Sequence, residues 1–177
     1  MYDLLIARIA RRAANPDTQV DMECVAQPSI APALRNVDAK QSERELGFAL
    51  PELLKIVYEQ VGNGGFGPGY GLMGVRSGAT DDQGQDAVDA YRTYSSPDPD
   101  DPTWIWREGL LPVCHWGCAI YSCIDCKNAE FAVVTFDPNI REDTWAECFI
   151  PSRRNLESWL NAWSMGVALW DEIHSAT

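Results

Sequence analysis

Between Val61 and Val75 the chain reads V-G-N-G-G-F-G-P-G-Y-G-L-M-G-V, one run that holds seven of its 13 glycines. Glycine lacks a Cβ, so it takes φ > 0 and lets other backbone approach closely. So dense a cluster marks a special backbone shape. The pattern G-x-G-x-x-G occurs twice here, from Gly62 to Gly67 and from Gly69 to Gly74. A dinucleotide site needs a strand before the glycines and a helix after them. The order here is the reverse, and no G-K-[ST] follows. The run therefore reads as a structural connector that binds no phosphate. A helix ends at Gly62 or Asn63, a tight loop follows, and a strand runs from Tyr70 to Val75.

Working back towards the N-terminus, Leu50-Pro51 opens the strongest helix. Proline is favoured in a first turn, where its missing N–H costs nothing. Leu53, Val57 and Val61 stack at i, i+4 and i+8, beside Leu54 and Tyr58, while Glu52, Lys55 and Glu59 fall opposite. That is an amphipathic helix laid on a core. Ala33 to Leu46 reads as a weaker helix, and Gln19 to Pro32 as an extended connector. Asp3 to Ala14 reads as a short helix with Leu4, Leu5, Ile9 and Ala13 on one face.

Forward of the glycines, Ser77 to Gly84 is a polar loop and Asp86 to Ser95 a helix capped by Asp86. Three prolines in Ser95 to Pro102 make a stiff, exposed excursion. Trp104 and Trp106 alternate in an extended segment, and Trp116 sits in a turn beside Gly117. Four strand-like runs follow: Leu110 to Cys114, Cys118 to Ile124, Phe131 to Phe136, and Glu147 to Ile150. Asp125 to Asn128 and Asp137 to Asn139 are turn chemistry. Ser152 caps a final helix with Leu156, Trp159, Leu160 and Trp163 as its apolar stripe. Gly166 interrupts that stripe, and Val167 and Trp170 continue it. Short adjacent strands pair antiparallel. The class is α+β, a twisted antiparallel sheet backed by helices on one side.

The chain has 177 residues and a net charge of −12. Such a field repels nucleic acid and anionic membranes, and suits solubility or a basic partner. No stretch of 18 apolar residues offers a membrane span. The N-terminal apolar run, Leu4 to Ala7, is too short for a secretory signal, which points to a cytoplasmic protein with reduced thiols.

Cys114, Cys118, Cys123 and Cys126, with His115 among them, have the look of a zinc cluster. In an extended segment the odd separation of Cys118 and Cys123 puts them on opposite faces, so one tetrahedral ion cannot collect both. Cysteine as a small buried hydrophobe is the alternative. No metal or cofactor is expected. His115 reads as a surface or strand-end histidine with no residue placed to orient it as a base, and His174 as exposed. Asp81, Asp82, Asp86, Asp89, Asp98, Asp100 and Asp101 lie in one segment whose only basic residue is Arg92. The segment is either a solvated acidic face or a docking surface for a basic protein.

Three stretches together resemble the SUKH superfamily, in the branch of the fungal cell-wall-assembly regulators and bacterial immunity proteins. The first runs from Leu46 to Leu54 with Tyr58 and then Gly62-Asn63-Gly64-Gly65-Phe66-Gly67-Pro68-Gly69-Tyr70-Gly71-Leu72. The second is Trp116-Gly117-Cys118 on to Asp125. The third is Trp159-Leu160, Trp163 and Leu169-Trp170. The likeness covers about Pro32 to Trp170, with residues 1–31 an N-terminal helix and connector before a SUKH-like domain of residues 32–177. It implies a sheet backed by helices, no catalysis, and a cytosolic protein that binds and neutralises a cognate toxin domain, nucleases among them. The alternative it leaves is a scaffold or regulator with no toxin partner. Relatives tend to hold Cys118 and Cys123 without a metal, and many carry an acid where this chain has His115.

Overall fold

The computed structural model describes residues 2–15 and 29–174. Most of the expected connector, Gln19 to Pro32, lies outside them, as does the side chain of His174.

Among the described residues, six helices and a four-stranded antiparallel sheet make an α+β fold. Helices α1 (Asp3–Ala13), α2 (Asn36–Leu46) and α3 (Glu52–Gln60) precede the glycine run, and α4 (Ala87–Ser95) follows it. Strands β1 (Leu110–Gly117), β2 (Ile120–Asp125), β3 (Ala132–Phe136) and β4 (Phe149–Asn155) form a plain meander in chain order. Helices α5 (Leu156–Ser164) and α6 (Leu169–His174) close the chain. Among the described residues no helix is long and apolar enough to cross a membrane.

Helix α3 behaves as its periodicity demands. Leu53, Leu54, Val57 and Tyr58 are buried, each aliphatic side chain contributing about 1.5–3 kcal/mol by leaving water. Pro51 stands at the N-cap, one residue before the first turn. Tyr58 keeps its hydroxyl satisfied deep inside by donating to the Met73 carbonyl at 2.5 Å.

The pairings Tyr121↔Phe136 and Phe136↔Phe149 put three aromatic rings on one face of the sheet. Tyr94 from α4, with Trp104 and Trp106, lies over them at ring distances of 5.0–6.0 Å. Ser122, Thr135 and Ile150 pair across the opposite face, where Trp116 donates to the Ser122 hydroxyl and α5 and α6 lie. Helix α1 joins the same core by packing on α5, through Arg8 to Asn161 and Arg12 to the Trp163 carbonyl.

Several local expectations change. Leu4 is 79% exposed, and Leu5, Ile6, Ile9 and Ala13 form the buried stripe of α1, because the inner flank of the helix must also seat Arg8 and Arg12 on α5. Tyr70 to Val75 is not a strand. It makes one isolated bridge, Leu72↔Cys114, with Gly71 at φ 102 on one side of it and, on the other, Val75, whose backbone groups the Asn63 side chain takes. Ser152 caps nothing, because β4 runs on to pair Asn155 with Ala132, and Asn155 itself caps α5 in a capping box with Ser158. Trp116 is buried inside β1 rather than placed in a turn.

Candidate partner-binding surface

Six backbone donors of the glycine run are already taken up within the fold. The N–H groups of Gly64, Gly65, Tyr70, Gly71, Leu72 and Gly74 all donate to backbone carbonyls. A phosphate cradle needs such groups pointing outward. Six glycines here, at positions 62, 64, 65, 67, 69 and 71, have positive φ. At Gly64 a Cβ would also meet Gly74 N and Leu72 O, both at 2.5 Å. Asn63 is the staple of the loop. Its Nδ2 donates to the Val75 and Arg76 carbonyls, and its Oδ1 accepts from Val75 N.

The run delivers one side chain to the surface. Phe66 is buried against Trp163, and Pro68 offers its carbonyl to Cys114, but Tyr70 stands 45% exposed. The loop backbone lies so close to β1 that a Cβ on Gly69 would sit 2.7 Å from the His115 carbonyl oxygen. Tyr70 N donates to that oxygen, and its ring rests 5.3 Å from the His115 ring.

His115 is not a surface histidine. It is 3% exposed in the middle of β1, clasped between Tyr70 and Tyr121. Its Nε2 lies 3.6 Å from the Asp82 carboxylate, and its Nδ1 is buried without a hydrogen-bond partner. Burial, ahead of the neighbouring Tyr94, pushes the Tyr121 hydroxyl above its usual range, and that hydroxyl donates to Asp81 at 3.1 Å.

The seven acids divide into inward and outward groups. Asp86 is buried, caps α4 by accepting from Val88 N and Asp89 N, and has its pKa raised chiefly by that burial. Asp86, Asp89 and Glu45 converge on Arg76, a residue that no local pattern singles out. Hydrogen bonds from Arg76 and then Gln41 bring the Glu45 carboxyl down to about 2. This cluster ties α2 to α4. Asp101 accepts from Thr103, from Trp145 Nε1 at 2.9 Å and from Arg141 at 3.0 Å. Those bonds, Thr103 first, hold its carboxyl well below the usual range. Asp81 organises its own loop by accepting from Gln83 N and Gln85 N. Asp82, Asp98 and Asp100 point outward.

Strand alternation is not what separates Cys118 from Cys123, because Cys118 is not in a strand. It lies in the β1–β2 turn, where it and Ala119 both have positive φ, 50° and 60°. Two such residues make a type I′ hairpin turn, the hand that suits strand twist. Cys118 is exposed there, while Cys114, Cys123 and Cys148 are buried as small hydrophobes. Burial, then Asp125, pushes the Cys126 thiol up to about 12. Among the described residues no three His, Cys, Asp or Glu side chains come together to hold a metal ion.

One end of the sheet gathers many of these pieces. Cys118 and Ala119 form its hairpin tip, and Cys118 offers its carbonyl to Asn139 at 3.0 Å. A 3-10 turn, Pro138–Ile140, leads from there to Arg141 and Trp145, which Asp101 holds. Ile140, Arg141, Glu142, Asp143 and Trp145 escape sequence reasoning. The only signal near them is the Asp137-Pro138-Asn139 turn. The arrangement offers recognition, by exposed aromatic, aliphatic and acidic groups on a rigid frame.

The family model described as SMI1 / KNR4 family (SUKH-1) matches residues 35–161, most of the chain. No curated protein matches it.

Proposed function

Because the chain belongs to the SMI1 / KNR4 family (SUKH-1), we propose that it is an immunity-type protein that binds a cognate bacterial toxin domain in the cytoplasm and blocks it by occlusion. The family match over residues 35–161 carries this reading. The chemistry of the surface supports it. A net charge of −12 favours a basic partner, such as the substrate-binding face of a nuclease, and speeds its association. The reading assigns the chain no catalysis. Its inhibition is steric and electrostatic, so it needs no cofactor, and complementary charge chiefly sets the rate and choice of partner.

Co-expression tests it. The toxin domain encoded beside the gene is induced in a bacterial host with and without the full chain, and growth is followed alongside calorimetric binding of the purified pair. Restored growth and a one-to-one complex are expected. No binding would refute the reading. Binding without protection would place the chain among regulatory scaffolds instead.

A further inference from the structure

Five segments meet at the hairpin end of the sheet or adjoin it. They are the tip of the glycine run, the loop of Asp81 and Asp82, the excursion of Asp98 to Asp101, the β1–β2 turn, and the stretch from Asn139 to Trp145. Hydrogen bonds tie them together. Tyr70 N donates to the His115 carbonyl at 2.9 Å, Tyr121 to Asp81, Asn139 to the Cys118 carbonyl, and both Arg141 and Trp145 to Asp101. Across all five, Arg141 is the only basic residue, and Asp101 already pairs with it. Within these segments the exposed acids therefore have no further cation to neutralise them.

The same end exposes apolar area. Tyr70 is 45% and Ile140 39% exposed. Trp145 is half-buried with the Arg141 guanidinium 4.2 Å above its ring. Tyrosine, tryptophan and arginine are the residue types that dominate binding energy at protein interfaces. Here Asp101 fixes the Arg141–Trp145 pair in advance, so little side-chain freedom remains to be lost on docking. His115 adds an independent sign. It is almost wholly buried beneath Tyr70, aims Nε2 at the exposed Asp82, and leaves Nδ1 unpartnered. A polar group left unsatisfied in a native interior calls for an explanation. At this end of the sheet it is the only such buried side-chain atom among the described residues.

We propose that this hairpin end, centred on Tyr70, Ile140 and Trp145 and rimmed by Asp82, Asp98 and Asp143, is the docking surface for a basic protein. The inference rests on the binding role proposed above and assigns that role to one surface. It requires a partner that offers lysines or arginines around an apolar centre. Rim carboxylates act on association and its salt dependence, and the central side chains act on dissociation.

A peptide selection tests the surface without the natural partner in hand. Random fifteen-residue peptides displayed on phage are selected against the full chain, and the enriched sequences are synthesised and titrated by fluorescence anisotropy. Enrichment in lysine and arginine with an aromatic or aliphatic residue is expected. Ile140→Ser should weaken the enriched peptides about tenfold, as loss of a central anchor does. Asp82→Asn/Asp98→Asn/Asp143→Asn should flatten the salt dependence, and Val37→Ser, on an exposed site of α2, should change neither. All three variants alter exposed side chains, and circular dichroism confirms that they fold. Peptides without basic residues, no enrichment at all, or affinities unmoved by the first two variants would overturn the assignment. Failure of co-expression rescue with peptides that still map here would count against the toxin reading alone.

Discussion

Replacing Asn63 with alanine should remove about 2–4 kcal/mol of stability, because it strands two backbone groups, the Val75 N–H and the Arg76 carbonyl. Asn63 is fully enclosed. Its Nδ2 donates to the Val75 carbonyl at 3.3 Å and the Arg76 carbonyl at 3.1 Å, and its Oδ1 accepts from Val75 N at 3.0 Å. Val75 is itself wholly buried, so water cannot reach its N–H, while its carbonyl keeps a second donor in Gly78 N at 2.8 Å. Each orphaned group costs about 1–3 kcal/mol, and the Arg76 carbonyl, closer to solvent, sits at the low end. With a urea dependence of about 2 kcal/mol per molar, the midpoint should fall by about 1–2 M with an unchanged slope. Asn63→Asp should be no better than alanine. It keeps an acceptor for Val75 N but turns a carboxylate oxygen towards two carbonyls. A midpoint shift below about 0.5 M for the alanine variant would refute the claim that this side chain holds the glycine run in shape.

Asp101→Ala should loosen the excursion from its clamp, red-shifting tryptophan emission as Trp145 loses its acceptor and speeding proteolysis between residues 96 and 103. Asp98→Asn/Asp100→Asn should do neither, and equal behaviour of the two variants would show that the clamp does not hold the segment. Acid should unfold the protein partly through Glu45. Its folded pKa of about 2 lies below the ordinary 4.5, so its stabilisation is complete above about pH 4.5 and is lost as pH falls towards 2. Arg76→Gln removes the main cause of that depression. Urea midpoints measured between about pH 5 and 3 should therefore fall less steeply in the variant, and parallel curves would contradict this.

Much of the fold was legible in the sequence wherever structure follows local period. Helix α3 declared itself through Leu53, Leu54, Val57 and Tyr58, α5 through its Leu156-to-Trp163 stripe, and α4 through the Asp86 cap, because side chains three and four apart share a face whatever surrounds them. The three closest-set strands were found within a few residues by their turns. The glycine run was legible as a connector because a helix preceded it, and the positive φ at Gly64 and its neighbours follows from residue type. The Tyr70–Val75 strand failed because the Asn63 side chain, at the other end of the same run, claims the backbone groups of Val75.

What tertiary structure alone decided is which distant residues share a carboxylate. Asp86 and Asp101 read alike in sequence, as members of one acidic segment. Arg76 and the α4 backbone draw the first inward, while Arg141 and Trp145, some forty positions downstream, pin the second to the hairpin end of the sheet. His115 reads as a strand-end residue until Tyr70 and Tyr121 close over it. A strand's alternation specifies two faces but not what covers them. The cover comes from segments brought together by the folded chain, and no local pattern along β1 carries that information.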